Sequence, residues 1–159
     1  RPTVHVPISG LNVARSGEGG GPDRARPGVS SVNAGRGGVL GGHVRENVGG
    51  EGRPFCDPGV SAAITAIDGA VIAGHLDGIV RIYDRDSGEI IWSYNTTTPV
   101  TGTNGVIAQG GGMSGSGPAL GAGHMVINSG YGLYNHEAGN ALLVFAPQAT
   151  GSVSARQRP

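Results

Sequence analysis

The residues able to do chemistry in this chain fall mostly into three short stretches. His75 and Asp77 stand two apart in GHLDG. That spacing suits an acid/base pair or two metal ligands. It equally suits a tight turn in which Asp77 accepts a hydrogen bond from a nearby backbone N–H. The second stretch is NSGYGLYNHEAGN, which holds Asn128, Tyr131, Tyr134, His136 and Glu137. Aromatic rings beside amides suit a planar ligand carrying carboxylates, and a loop packed on itself would use the same residues. The third stretch, GGGMSGSGP, runs from Gly110 to Pro118. It is no phosphate loop: no Lys follows, Pro118 and more glycines do, and no helix pattern begins there. Glycines that let two backbones pass closely account for it better. Cys56 is the one cysteine, so no disulfide closes within the chain. Neither a His nor a helix start stands beside it to activate the thiol, which reads as half-buried. Asn95-Thr96-Thr97 fits a glycosylation sequon, which is uninformative without a secretory context.

Composition bounds what these residues can serve. A chain of 159 residues is enough for one ordinary domain. Arg1 is not an initiator Met, which reads as a processed or partial chain. Its formal net charge is zero, which gives no reason to expect a nucleic-acid or anionic-membrane partner. The longest apolar run, Ala141 to Ala146, is too short to span a membrane, and no signal peptide opens the sequence. Glycine supplies 32 residues without a collagen period, so the chain is rich in loops between short strands or in disorder.

The elements that must position the three stretches are strands. Apolar residues never recur at helical spacing over three turns, so helix should be scarce. In GHLDGIVRIYDRDSGEIIWSYN, Ile79, Arg81 and Tyr83 alternate with Val80 and Ile82, the period of a strand. Asp84 to Gly88 forms a turn, and Ile90, Ile91, Trp92 and Tyr94 return as a second strand. Fifty-one positions upstream, Ser31 to Gly41 superposes on Ile82 to Trp92, with Gly41 in place of Trp. A fainter copy, Phe145 to Gly151, keeps only the Thr-Gly turn, and Ala155 stands where Trp is expected. Short apolar strands precede each turn at Val4–Ile8, Ala70–Gly74 and His124–Asn128. Ser61–Ile67 and Met113–Leu120 are expected as strands before the last two. The chain then divides into a degenerate partial blade at 1–53 with a Gly/Arg-rich loop, a blade at 54–98, and a last blade with a polar tail at 99–159. The long loops Ser9–Pro27 and Asn128–Asn140, the short loop His75–Gly78 and the linker Asn95–Gly112 should share one face of the assembly.

The pattern Ile82, Asp84, Ser87, Gly88, Trp92 resembles the tryptophan-docking motif of quinoprotein β-propellers. In that family the Trp packs between blades and the Asp and hydroxyl tie the turn, so the resemblance implies a structural role. From Pro54 to Pro147 the chain is similar to the C-terminal part of polyvinyl-alcohol dehydrogenase-like quinoproteins. The matching stretches are CDPGVSAAITAIDG, AGHLDGIVRIYDRDSGEIIW, GGGMSGSGP and NSGYGLYNHEAGNALLVFAP. The resemblance implies an all-β fold: a partial propeller of two to three four-stranded antiparallel blades. It implies pyrroloquinoline quinone (PQQ), with Ca²⁺ as companion ion, bound near the axis, and oxidation of alcohol groups with electrons passed to a cytochrome c. It also implies a periplasmic or secreted location and the parent's remaining blades as partners. Asn128, Tyr131, Tyr134 and His136 are the cofactor-binding candidates; no catalytic base or metal ligand carries over. A propeller used as an interaction scaffold, and a truncated or decayed gene product, are the competing readings.

Overall fold

The computed structural model describes residues 3–8, 28–33, 39–43, 59–131 and 136–147. Their strands, in chain order, are β1 (Thr3–Ile8), β2 (Gly28–Asn33), β3 (Val39–His43), β4 (Thr65–Ile67), β5 (Ala70–Gly74), β6 (Ile79–Asp84), β7 (Ile90–Asn95), β8 (Val100–Thr101), β9 (Ile107–Ala108), β10 (Ala119–Gly121), β11 (His124–Ser129) and β12 (Ala141–Phe145). No helix occurs among the described residues, and none is therefore long and apolar enough to cross a membrane.

Alternation gives β6 two committed faces. Tyr83 points to one side and Val80 and Ile82 to the other. Both sides are covered, because β6 belongs to a four-stranded sheet with a sheet stacked on each face. That sheet runs β4-β5-β6-β7, all antiparallel. On one side Val71, Ala73 and Tyr83 meet Val29 of β2 and Val60, with Ile64 packed against them. On the other, Ile72 and Val80 meet Met113, Met125 and Ile127, joined by Ile82 and Phe145. Each fully buried aliphatic side chain contributes about 1.5–3 kcal/mol. The flanking sheets are β1-β2-β3 and β10-β11-β12, and a small β8-β9 hairpin lies between the second and third sheets in sequence. Stacked antiparallel sheets of this kind make a partial β-propeller, with one four-stranded blade and two three-stranded ones among the described residues.

The β6–β7 turn follows from its residues. Asp84 Oδ1 accepts from the N–H groups of Asp86 (3.0 Å) and Ser87 (2.7 Å). Ser87 Oγ accepts from Glu89 N–H at 3.2 Å. Gly88, at φ 75°, donates its N–H to the Asp84 carbonyl at 2.9 Å; positive φ is the conformation glycine adopts without steric cost. The Ser87 N–H and hydroxyl, then the Asp86 N–H, hold the Asp84 carboxyl below its ordinary range. Beyond the turn the ladder slips: Tyr83 pairs with Ile90, but Ile82 pairs with Trp92. Ile91 is the extra residue of a β-bulge. In the first sheet Val32 pairs with Val39, at the same sequence offset as Tyr83 with Ile90, yet Ser31 pairs with Leu40 without a bulge.

Two expected strands are shorter than their sequence suggested. Only Ala119–Gly121 of the Met113–Leu120 segment is strand. The rest is spent on close contact: a Cβ at Gly117 would strike the Ala63 carbonyl, and the Thr65 hydroxyl donates to the Pro118 carbonyl. Of Ser61–Ile67 only Thr65–Ile67 pairs in a ladder. Just before that segment, Val60 gives its N–H to the Ile8 carbonyl of the first sheet (3.0 Å), so the chain there bridges sheets. The expectations for Ser9–Pro27, Cys56, Thr150-Gly151 and Ala155 concern positions outside the described residues.

Candidate functional site

The loops that leave the C-terminal ends of β5, β7 and β11 converge on one end of the stack. His75 to Gly78 is the short β5–β6 connection. Its His75 carbonyl accepts from Gly78 and Met113 N–H groups, each at 3.1 Å. Thr96, just past β7, donates its N–H (3.0 Å) and its hydroxyl (2.6 Å) to the Gly78 carbonyl. Ser129, at the end of β11, lies 2.6 Å from Thr96 Oγ1 and accepts the Gly111 N–H at 3.0 Å. The Thr96 hydroxyl donates to the Gly78 carbonyl and the Ser129 hydroxyl to the Gly111 carbonyl, at 2.9 Å, so Ser129 and Gly111 are joined in both directions. Gly112 N–H reaches the Glu137 carbonyl at 2.8 Å, and Gly139 N–H reaches that of Gly130 at 2.9 Å. The GGGMSGSGP and NSGYGLYNHEAGN stretches thus lie side by side, backbone against backbone. Gly111 shows why glycine is needed: a Cβ there would collide with the Glu137 carbonyl oxygen. The shared end expected for the His75–Gly78, Asn95–Gly112 and Asn128–Asn140 connections is what the hydrogen bonds make.

Below this belt lies a buried polar quartet. Asp77 Oδ1 accepts from Ile79 N–H (3.1 Å) and Arg81 Nη1 (3.0 Å), while Oδ2 accepts from Arg81 Nη2 at 2.7 Å. The turn reading of GHLDG therefore holds, with an addition: Asp77 also carries a bidentate ion pair. Tyr83 OH and His75 Nε2 are hydrogen-bonded at 2.9 Å. All four side chains are buried. Burial pushes the Tyr83 phenol far above its ordinary value, opposed by Arg81 and reinforced by Asp77, so it stays neutral. Nothing in the residue types of Arg81 and Tyr83 alone marks them as chemistry-bearing. The available signal was their place on the same strand face, with Asp77 four residues ahead of Arg81.

The cofactor-binding candidates are distributed rather than gathered. Asn128 is exposed, and its Nδ2 donates to Ser116 Oγ at 3.4 Å. Tyr131 is 59% exposed, with its backbone beside Gly115. His136 is half-buried against Gly112. Tyr134 lies outside the described residues. PQQ is a tricarboxylate, and a site for it needs cationic or N–H donors turned inward. Arg81 is neutralised by Asp77, and Arg85 sits at the exposed turn beside Asp68 and Asp86. The described residues alone do not fit the group. Among them no cluster of His, Cys, Asp and Glu could hold a metal ion.

The opposite end of the same two sheets is apolar. Trp92 stacks on Tyr94 (ring centroids 6.1 Å, 10° between planes) and meets the Phe145 ring edge-on at 5.5 Å. It therefore stands between the second and third sheets, and it remains 37% exposed at the mouth of a crevice.

A stack of sheets with Trp92 bridging two of them defines a propeller segment. No family model matches the chain. It is similar to a polyvinylalcohol dehydrogenase of a Pseudomonas species, 37% identical over 101 residues, and to one of Sphingopyxis sp. strain 113P3, 41% identical over 86 residues. The alignments cover 58% and 54% of this chain but 16% and 13% of those proteins. The resemblance drawn from the four motif stretches is thus found in whole-sequence similarity, over part of the chain.

Proposed function

We propose that this chain is a segment of a PQQ-dependent propeller quinoprotein that oxidises alcohol groups, passing the electrons to a cytochrome c or similar acceptor in the periplasm or outside the cell. The observation that carries the reading is the interlock of GGGMSGSGP with NSGYGLYNHEAGN through Gly111, Gly112 and Glu137, in a chain similar to two polyvinylalcohol dehydrogenases. On this reading the chain supplies a rigid wall near the axis, and the cofactor's charged groups, with Ca²⁺, are met by residues of further blades. The 159-residue chain alone then reduces no dye when given PQQ, Ca²⁺ and an alcohol. The test is a chimera in which this segment replaces the matching region of the Sphingopyxis relative. Retained PQQ-dependent dye reduction supports the reading. A folded chimera that binds no PQQ overturns it and favours the interaction-scaffold reading.

A further inference from the structure

The crevice beside Trp92 has a volume of about 860 Å³ and opens between β4–β7 and β10–β12. Trp92, Phe145, Ile67, Leu120 and Met125 make its walls, and His124 stands at its rim. No Asp, Glu, Lys or Arg lines it among the described residues. Half of the lining, from Trp92 to Met125, falls within Ile90 to His136, a stretch with not one of these four residue types, while on the other wall Ile67 precedes the exposed Asp68. A charged occupant would lose its hydration here and gain no counter-charge. A purely apolar occupant would leave His124 unused: its Nδ1, 2.8 Å from the Ala122 carbonyl, donates there and leaves Nε2 to accept. The indole and its aliphatic neighbours suit CH₂ groups, while Nε2 suits a hydroxyl.

We infer that this crevice is a docking site for an uncharged hydrocarbon chain bearing hydroxyl groups. This is the chemistry of the polymer in the names of both relatives. The inference rests on the alcohol-oxidising reading and places the contact away from the glycine belt, at the other end of β11. A polymer held there is tethered while another part of it reaches the reacting end.

Trp92 is the single tryptophan, so its emission reports this site in the unaltered chain. Titration with polyvinyl alcohol should give a saturable blue shift, and polyacrylate of similar length should give none. Leu120→Asp should weaken the response at least tenfold, whereas Ile107→Asp, on the distant β9, should leave it unchanged. Both variants must keep the wild-type β-sheet circular dichroism; if Leu120→Asp does not fold, Leu120→Ala, with an expected several-fold loss, takes its place. No shift with polyvinyl alcohol, or an equal shift with polyacrylate, overturns the proposal. So does a response untouched by substitution at Leu120. An emission that tracks protein concentration, with dimers in light scattering, assigns the crevice to a second copy instead. Emission that reddens on removal of residues 148–159 assigns it to the chain's own tail. PQQ binding by the chimera is measured separately, so either idea can fail while the other stands.

Discussion

The two ends of the contact between β4–β7 and β10–β12 are built on opposite principles. At the glycine belt the sheets are joined by backbone and two small hydroxyls, with no side chain larger than Thr in the Thr96–Ser129–Gly111 knot. At the crevice they meet through large side chains, Trp92 and Ile72 against Phe145 and Met125, with space left over. Backbone contact has no slack: nothing there can rotate away. Side-chain contact yields, since rings shift and solvent fills gaps. The first end fixes how the sheets sit; the second can accept something else.

Substitutions can break this contrast. Gly111→Ala places a methyl on the Glu137 carbonyl oxygen, where only backbone could move. We expect a loss of about 4 kcal/mol or more, enough to prevent folding of many small domains, seen as lost cooperativity in urea. Asp77→Ala comes next. It leaves the buried Arg81 guanidinium without its partner, at a cost of about 3–5 kcal/mol. Adding Arg81→Met should recover most of the loss, which denaturation of single and double variants checks. Trp92→Ala is milder. Full burial would make it about 3–5 kcal/mol, and its partial exposure reduces that to about 2 kcal/mol. If Trp92→Ala proved worse than Gly111→Ala, the contrast would be the wrong way round.

The smallest effect is at the Asp84 turn. Its carboxyl is held below the ordinary value by the Ser87 and Asp86 donors. The folded state therefore takes up the proton less readily than the unfolded chain. The resulting stability is present above about pH 4, the unfolded carboxyl range, and is lost as pH falls through the folded value. Asp84→Asn cannot titrate, so the midpoint gap between wild type and variant should narrow as pH drops from 5 to 2. A gap that widens would show that the turn hydrogen bonds do not act through the charge.

How much could be read ahead depended on the range of the forces. The β6–β7 hairpin was legible because alternation and the Asp84–Gly88 turn are local. The depth of Trp92 was not legible, because it depends on β10–β12 and Phe145. The Met113–Leu120 strand was misjudged for a related reason: apolar and small residues suit a strand, while Gly117 against Ala63 and Gly111 against Glu137 are contacts between distant positions. The Asp77–Arg81 pair stayed hidden because an Arg on an alternating strand is ordinarily on a solvated face. Here Arg81 shares its face with Tyr83, which packs with Val29 and Val60, and both Arg81 and Asp77 are buried. The candidates Asn128, Tyr131 and His136 were picked by type, and type does not say which way a loop turns.

The single extra residue at Ile91 has a consequence for what changes in length this blade tolerates. Side chains of a strand alternate, so β7 has parity as well as sequence. With the bulge, Trp92 lies opposite Ile82 and shares its side of the sheet, toward Phe145. A flat ladder of the same length, as in the first sheet where Ser30 pairs with Gly41, would set Trp92 opposite Arg81, on the side of the buried quartet. Loss of one residue after the turn would absorb the bulge and keep Trp92 opposite Ile82, whereas loss of two would bring it opposite Tyr83, on the other face. The turn should therefore tolerate the loss of that one residue and not of a second, even while the residues themselves are exchanged freely.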